Sequence, residues 1–235
     1  MTKDLSAVPV GAPAPARPPL RLAHRGDHRR YPENTLAAFH AALALPGCDG
    51  LEFDVRGARD GAPIVLHDAT LARVQRRPER AAELDAAELD ALGVPTLAAV
   101  LAAVPPSAFL DIELKEDLAA PVVALLRAAR GPALAHAALS SFDPAILAHV
   151  RTLAPGARCW LNAEDLDPAI LAQAAALGCA AVAAEWHAID RRSIARAHGL
   201  GLAVVAWTVR RRATLARLAG LGVAGVCVEG AALDG

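Results

Sequence analysis

Several features that would point to particular protein classes are scarce in this sequence. The 235 residues include four cysteines, Cys48, Cys159, Cys179 and Cys227, with no C-x-x-C pair and no spacing typical of metal ligands. We therefore expect buried small hydrophobic residues in a reducing compartment, and neither a disulfide framework nor a zinc site.

Long apolar runs and an excess of charge of one sign are also lacking. Charges and glycines interrupt every Ala-rich segment before about 18 apolar residues accumulate, so neither a membrane span nor a stable membrane anchor is expected. Residues 1–19 are rich in Pro and Ala and lack a signal-peptide core, which predicts a flexible tail and a cytoplasmic location. A balance of 24 basic against 25 acidic residues, without a basic run, argues against nucleic acid as a partner.

What the sequence does contain is a regular alternation of β-like runs with Ala- and Leu-rich helical runs. Strands are predicted at 20–24, 50–55, 109–114, 135–140, 157–162, 180–185, 202–207 and 225–228. Eight such units over residues 20–235 predict a single α/β domain, a (β/α)8 TIM barrel, with a doubly wound open sheet as the alternative. The segment after the second strand breaks the rhythm and predicts a small hairpin-like excursion, followed by helical turns at 79–91 and 96–103. Helix starts are predicted at Asn34-Thr35, Asp117, Asp143-Pro144 and Asp167-Pro168.

Polar residues collect at the predicted carboxyl ends of the strands, where barrel enzymes carry their chemistry. These ends include His24, Glu52, Asp54, Glu113, Lys115, Glu185, Trp207 and Glu229. An apolar barrel with one polar rim indicates an active-site mouth.

Two strands carry paired inward-facing polar positions. In LEFDV, Glu52 and Asp54 point the same way, and in DIELK Asp111, Glu113 and Lys115 share a face. A single E-x-D would more often be a structural ion pair, but two such strands beside histidines favour function. Three carboxylates facing one cavity predict a site for one divalent cation, Mg²⁺ or Ca²⁺.

Two histidines follow strand-like runs, His24 after LRLA and His67 after APIVL. Imidazoles can serve as general base and general acid near neutral pH. Arg25 and Lys115 add the fixed positive charge that a phosphodiester anion needs. The set predicts displacement at phosphorus, in which the cation polarises the phosphoryl oxygens.

Ordered motifs in the chain resemble the glycerophosphodiester phosphodiesterase family, compact bacterial type. They are HRGDHRRYPENTLAAF, GLEFDVRGARDGAPIVLHDATLAR, VPTLAAVL, FLDIELK, LSSFDPAIL and AWTV, and they run from about Leu22 to Val209. The resemblance implies a (β/α)8 barrel. It also implies His24 and His67 as the acid/base pair and Glu52, Asp54 and Glu113 as the cation ligands, with Arg25 and Lys115 near the phosphate.

Further roles rest on the resemblance alone. Trp207 is expected to wall the organic group of the substrate, and Pro32, Glu33 and Asn34 to shape the loop behind His24 and cap the first helix. Glu33 and Glu185 are candidate supporting residues. The chain departs from the family pattern at Arg210, where Asn commonly follows W-T-V, and at Glu229, where T-D-x-P is common; the segment VQRRPER also differs. His28, Arg29 and Arg30 are expected to form a solvated loop.

The resulting hypothesis is hydrolysis of a glycerophosphodiester to sn-glycerol 3-phosphate and an alcohol. Attack comes from a substrate hydroxyl, by way of a cyclic phosphate, or from a metal-bound water. Two alternatives stay open at this point. One is hydrolysis of lysophospholipids by the same chemistry, and the other is a catalytically silent barrel that binds phosphate-containing ligands. Patterns in the sequence do not assign the oligomeric state or the roles of the two imidazoles.

Overall fold

The computed structural model describes residues 18–234, and nine β-strands lie within that part of the chain. They are β1 (Leu20–His24), β2 (Gly50–Gly57), β3 (Pro63–Val65), β4 (Phe109–Leu114), β5 (Ala137–Ser141), β6 (Cys159–Ala163), β7 (Ala181–Glu185), β8 (Ala203–Val209) and β9 (Gly225–Val228). All eight strands predicted from the sequence are present, with ends that differ by at most two residues. The tail predicted for residues 1–19 lies outside the described residues, apart from Pro18 and Pro19.

Eight of the strands form a closed parallel barrel. They pair in the order β1-β9-β8-β7-β6-β5-β4-β2, and parallel pairing of β1 with β2 closes the ring. At the closing seam Leu22 lies opposite Gly50, and on the other side of β1 Leu20 lies opposite Gly225. The (β/α)8 barrel is therefore confirmed over the doubly wound sheet, which has open edges and no closing pair.

Eight α-helices lie among the described residues. They are α1 (Leu36–Leu43), α2 (Ala86–Ala91), α3 (Leu97–Ala103), α4 (Ala119–Arg130), α5 (Pro144–Leu153), α6 (Pro168–Ala176), α7 (Arg191–Gly199) and α8 (Arg212–Leu221). All except α2 connect successive barrel strands. Between β9 and residue 234 the chain forms only the 3₁₀ turn Gly230–Ala232.

Side-chain caps begin several helices at the predicted places. The Thr35 hydroxyl accepts the Ala38 N–H at 3.3 Å at the start of α1. Asp143 and Asp167 cap α5 and α6, each followed by proline at the first helical position, where a missing N–H costs nothing. Asp117 differs from its prediction because the cap position of α4 is Leu118.

The excursion between β2 and β4 is a small subassembly on the barrel. β3 pairs antiparallel with β2, and Asp60 and Gly61 lie at the turn between them. A separate cluster of buried apolar side chains covers it: Ala58, Ile64, Leu66, Leu71, Ala81, Leu89 and Val94. The predicted hairpin is confirmed, and it delivers His67 and Asp68 to the barrel mouth.

The period of two along the strands separates two cores. On β2, Leu51, Phe53 and Val55 point outward into the large cluster between strands and helices. The inner cluster is smaller and fills the lower barrel with Leu20, Leu22, Phe109, Ala138, Trp160, Ala181, Ala183, Val205 and Cys227. Full burial of a large apolar side chain stabilises the fold by about 1.5–3 kcal/mol. The inward-facing polar residues near the carboxyl ends of the strands thus lie next to a packed apolar cluster inside the barrel.

The predictions about the cysteines and about membrane-spanning segments can be compared with the described residues. All four cysteines are free, three of them buried and Cys48 half-buried, as expected. No helix in residues 18–234 has the length and apolar character that a bilayer span requires, and α4, the longest, has 12 residues. The cytoplasmic location stays a prediction.

Candidate active site

The carboxyl ends of the barrel strands surround a cavity of about 420 Å³. Seven of the ten side chains predicted for the site line it: His24, Arg25, Glu52, His67, Glu113, Lys115 and Trp207. Asp54 lies directly behind this wall, fully buried. Glu33 and Glu185 do not line the cavity.

Three buried carboxylates meet at one side of the cavity. Glu52, Asp54 and Glu113 each bring an oxygen to within 4.8 Å of the others, because Asp54 on β2 lies opposite Glu113 on β4. Burial and the charge of Asp54 raise the pKa of Glu52 well above its ordinary value. Burial also raises the pKa of Glu113, although Lys115 opposes the shift. Such a cluster is stabilised by positive charge.

Two cationic side chains already balance part of this charge. Lys115 Nζ lies 2.5 Å from Glu113 Oε1 and 3.1 Å from Asp54 Oδ1, and Arg25 Nε lies 3.1 Å from Asp54 Oδ2. Burial alone would raise the pKa of Asp54, but the charges of Arg25 and Lys115 outweigh burial and lower it. Asp54 is thus held as a carboxylate, while the described residues offer Glu52 no comparable cationic partner and His24 Nε2 lies 3.7 Å from its Oε2.

The donor set fits a hard divalent cation. Glu52 Oε2 is buried and accepts no hydrogen bond from any described residue. The three acids offer only oxygen donors, which Mg²⁺ and Ca²⁺ prefer, and a cation there offsets their mutual repulsion. The structure therefore contains an acidic site suited to a metal ion at the predicted residues. The identity of the ion stays a prediction.

His24 ends β1, and the acid that follows β9, Glu229, contacts its ring from the side away from the cavity. Its Nδ1 lies 2.5 Å from Glu229 Oε1, and its Nε2 lies 3.7 Å from Glu52 Oε2. Burial lowers the pKa of His24, although the hydrogen bond to Glu229 opposes the shift. Glu229 also accepts a hydrogen bond from Arg210 Nε at 2.7 Å.

His67 is held in a similar way within the excursion. Its Nδ1 lies 2.6 Å from Asp68 Oδ1, and Arg73 Nε donates to Asp68 Oδ2 at 2.7 Å. Arg73 also donates two hydrogen bonds of 2.7 Å to Glu33. Burial would raise the pKa of Asp68, but the hydrogen bonds and charges of Arg73 and His67 lower it to about 2. Both predicted histidines therefore face the cavity with a carboxylate on Nδ1.

The loop after β1 reaches the site through an unusual backbone. Gly26 has φ +82°, and a Cβ there would lie 2.7 Å from the carbonyl carbon of Ala38, so glycine alone fits. Arg25 also has positive φ, 57°, and its guanidinium lies between Asp54 and Glu33, with Nη1 3.0 Å from Glu33 Oε1. Glu33 therefore contacts Arg25 without lining the cavity, and its supporting role stays a prediction.

Asn34 differs from its expected role as part of a helix cap. Its side-chain Nδ2 donates to Asp54 Oδ2 at 3.0 Å, while Thr35 caps α1. The backbone of Asn34 has φ 59°, a conformation that asparagine tolerates better than most residues. Asn34 thus orients one of the three carboxylates.

The opposite wall is aromatic. Trp207 Nε1 donates to the Ala183 carbonyl at 2.8 Å, and its ring meets Phe142 edge-on at 5.7 Å. Glu185 points elsewhere: its carboxylate accepts the His187 N–H at 2.7 Å and lies 2.8 Å from His187 Nδ1. Among the described residues, no hydrogen bond or ion pair joins the Glu185 carboxylate to a residue that lines the cavity, so its expected supporting role stays a prediction.

Sequence reasoning missed three further polar residues around the site. Asp111 lines the cavity below Glu113, accepts a hydrogen bond of 2.6 Å from Ser140, and has a pKa that burial raises to about 7. The same period of two that marks Glu113 marks Asp111. Glu229 stands at the end of a predicted strand and counts in the sequence only as a departure from the family pattern, and no local pattern distinguishes Arg73 from the arginines near it.

The loop expected to be solvated is exposed but not without contacts. Arg29 pairs with Asp27 at 2.7 Å and with Asp234 at 2.9 Å, which ties the loop to the last described residues. His28 Nε2 lies 3.5 Å from Glu229 Oε1, so this loop reaches the back of the His24 site.

A barrel whose rim combines two imidazoles, three carboxylates and two fixed cations belongs to the class of (β/α)8 proteins with a polar site at the strand carboxyl ends. The model of the glycerophosphoryl diester phosphodiesterase family matches residues 24–231. The chain belongs to this family.

Individual relatives agree over different extents. A glycerophosphodiester phosphodiesterase of Caldanaerobacter subterraneus subsp. tengcongensis is 52% identical over 54 residues, which is 23% of this chain and 22% of that protein. The alignments with curated relatives thus span about a fifth of their length. The crystal structure of a glycerophosphodiester phosphodiesterase from Agrobacterium tumefaciens is 26% identical with a TM-score of 0.78, covering 92% of this chain and 98% of that one.

One structural relative was solved with a ligand. A phosphodiesterase of Oleispira antarctica, in complex with the product sn-glycerol-3-phosphate, has a TM-score of 0.78 and 24% identity. The match covers 89% of this chain and 92% of that one. At this identity the likeness shows a shared fold.

Proposed function

We propose that the protein hydrolyses glycerophosphodiesters to sn-glycerol 3-phosphate and an alcohol, and that it requires a divalent cation. The observation that carries the proposal is the convergence of His24, His67 and the three-carboxylate cluster on one cavity, with Arg25 and Lys115 beside them. Family membership and the product bound to the Oleispira antarctica relative support the same substrate class.

Glu52, Asp54 and Glu113 would hold the cation. When bound, it supplies positive charge that stabilises the charge developing on the phosphoryl oxygens. Arg25 and Lys115 are already fixed by Asp54 and bring further positive charge to the phosphodiester. Their ion pairs limit how far they can move, so the charge is preorganised for the transition state.

The two imidazoles carry the proton transfers. One takes the proton of the attacking hydroxyl or water as its oxygen bonds to phosphorus, and the other gives a proton to the alcohol oxygen as its bond to phosphorus breaks. Where a substrate hydroxyl attacks, this step gives a cyclic phosphate, which water then opens to sn-glycerol 3-phosphate while the two imidazoles exchange roles. Each ring has Nδ1 occupied by a carboxylate, so Nε2 is the nitrogen that exchanges protons with the substrate. Trp207 and Phe142 form the apolar wall against the organic group.

The test is hydrolysis of glycerophosphocholine by the full-length protein, with sn-glycerol 3-phosphate as the measured product. Chelation with EDTA should abolish turnover, and Mg²⁺ or Ca²⁺ should restore it. Cation binding is measured separately by calorimetry, with Glu52→Gln expected to weaken it. Turnover that is indifferent to EDTA would overturn the metal requirement.

A substrate panel separates the proposal from its rivals. Faster hydrolysis of lysophosphatidylcholine than of glycerophosphocholine would contradict the assigned substrate class. Absence of turnover on both compounds and on bis(p-nitrophenyl) phosphate would contradict the proposal that the protein is a phosphodiesterase.

A further inference from the structure

The two departures from the family pattern contact one another. Arg210 follows β8 and Glu229 follows β9, and these neighbouring strands bring Arg210 Nε to 2.7 Å from Glu229 Oε2. Positions that look like two unrelated changes in the sequence therefore form one ion pair, in which Arg210 lines the cavity and Glu229 does not.

Glu229 faces only cationic or ring-nitrogen partners among the described residues. Oε1 lies 2.5 Å from His24 Nδ1 and 3.5 Å from His28 Nε2, and Oε2 accepts from Arg210. The carboxylate is buried, whereas the Arg210 side chain is 69% exposed. A buried acid with fixed partners on both oxygens has little freedom to rotate.

The short contact between Nδ1 and Glu229 Oε1 indicates which ring nitrogen of His24 carries the hydrogen. An ionised carboxylate can only accept, so the hydrogen between the two groups belongs to Nδ1 of His24. Neutral imidazole then has its lone pair on Nε2, the nitrogen that points toward Glu52. Without an acceptor behind Nδ1, either nitrogen could carry the hydrogen and the ring could turn.

We propose that Glu229 and Arg210 are positioning residues for His24. Glu229 accepts the Nδ1 hydrogen and keeps Nε2 directed to the cavity, and Arg210 holds Glu229 in place. The inference rests on the proposed function of His24 in proton transfer.

A direct role for Arg210 is the competing explanation. Its side chain lines the cavity and could contact the phosphodiester. The two roles differ in their dependence on Glu229: a substrate contact persists when Glu229 is neutral, whereas a role exerted through Glu229 does not.

A double-mutant cycle distinguishes them. Glu229→Gln should lower kcat on glycerophosphocholine by about 10–100-fold, as is typical when a group that orients a site residue is lost, with KM changed by less than about threefold. Arg210→Ala should lower kcat by roughly 3–10-fold in the wild type and by less than about twofold in the Glu229→Gln background. Arg211→Ala, the neighbouring exposed arginine, is the control and should match the wild type.

A spectroscopic readout is independent of turnover. Imidazole ¹⁵N resonances of the full-length protein report the tautomer of each ring, and His24→Gln identifies the His24 signals. The wild type should show Nδ1–H at His24, and Glu229→Gln should lower its population. Because Arg210 is exposed, Arg210→Ala offers a second variant that tests the pair if Glu229→Gln does not fold.

Two results would overturn the inference. One is an unchanged His24 tautomer and unchanged kcat in Glu229→Gln. The other is an Arg210→Ala effect that is equal in both backgrounds and falls mainly on KM. If the wild type does not hydrolyse glycerophosphodiesters, the proposed function fails, while the tautomer measurement still decides whether Glu229 positions the ring.

Discussion

Each candidate catalytic histidine is held by a carboxylate on Nδ1, and each carboxylate is held by an arginine. We name the two sets the local arm (His67, Asp68 and Arg73) and the long-range arm (His24, Glu229 and Arg210). The distances nearly match, at 2.6 and 2.7 Å in the local arm and 2.5 and 2.7 Å in the long-range arm.

The arms differ in how the chain assembles them. Asp68 follows His67 directly, so the local arm forms whenever the excursion folds. Glu229 is 205 residues from His24, so the long-range arm exists only when β9 pairs with β1 and closes the barrel. The local acid is also more exposed, with 27% of its side chain accessible against 10% for Glu229. The two histidines thus have the same kind of contact on Nδ1, made by carboxylates that differ in burial and in their distance along the chain.

The largest expected effect comes from removing either imidazole. His24→Ala and His67→Ala should each lower kcat by about 10²–10⁴-fold, the range for loss of a general acid or base. Steady-state kinetics on glycerophosphocholine measures this, with circular dichroism as the folding control. A loss below tenfold in a folded variant would remove that histidine from the proton transfers.

The carboxylates should separate the two arms. Asp68→Asn and Glu229→Gln each remove an orienting charge, and we expect losses of about 10–100-fold in kcat. The loss should be smaller for Asp68→Asn, because water reaches the more exposed site and can take over the hydrogen bond. Measuring both variants under one condition checks the order, and equal losses would contradict the assigned difference in support.

Replacing either arginine should lower kcat by a smaller factor, and the two variants should differ in their effect on Ca²⁺ binding. Arg73→Ala breaks contacts to both Asp68 and Glu33, and Glu33 in turn contacts Arg25 beside the carboxylate cluster. We expect about 3–10-fold lower kcat together with weaker Ca²⁺ binding. Glu33 is then no longer held by Arg73, so the Arg25 guanidinium beside Asp54 is less firmly positioned. Calorimetric titration with Ca²⁺ tests this. Arg210→Ala should leave Ca²⁺ affinity unchanged, and a parallel loss in both variants would contradict the separation of the arms.

The smallest expected effect is on stability at acid pH. Burial alone would raise the pKa of Glu229, but the His24 hydrogen bond and the Arg210 contact lower it to about 2 from an ordinary 4.5. The stability that this gives is complete above pH about 4.5 and is lost as pH falls toward 2. Urea unfolding of the wild type and Glu229→Gln should show a difference in free energy that is constant near neutrality and narrows below pH 4.5. A difference that widens on acidification would contradict the assignment.

Much of the site followed from the period of two along the strands. It placed Glu52 and Asp54 on one face of β2 and Glu113 on the facing side of β4, where the three carboxylates meet; Lys115 directly follows β4 and contacts Glu113 and Asp54. The same rule puts Asp111 on that face of β4, but only the cavity lining shows that its side chain belongs to the site. Arg73 could not be separated from neighbouring arginines, because its role depends on Glu33, 40 residues earlier in the chain.

The sequence by itself determined the alternation of strands and helices, the inward acids and the adjacency of His67 and Asp68. These features depend on residues close together in the chain, where backbone periodicity dictates which side chains share a face. Only the tertiary structure decided that the sheet closes, that Asn34 turns to Asp54, and that Arg210 and Glu229 meet behind His24. Their contacts arise from the packing of distant segments around one barrel, and no local pattern encodes such distances.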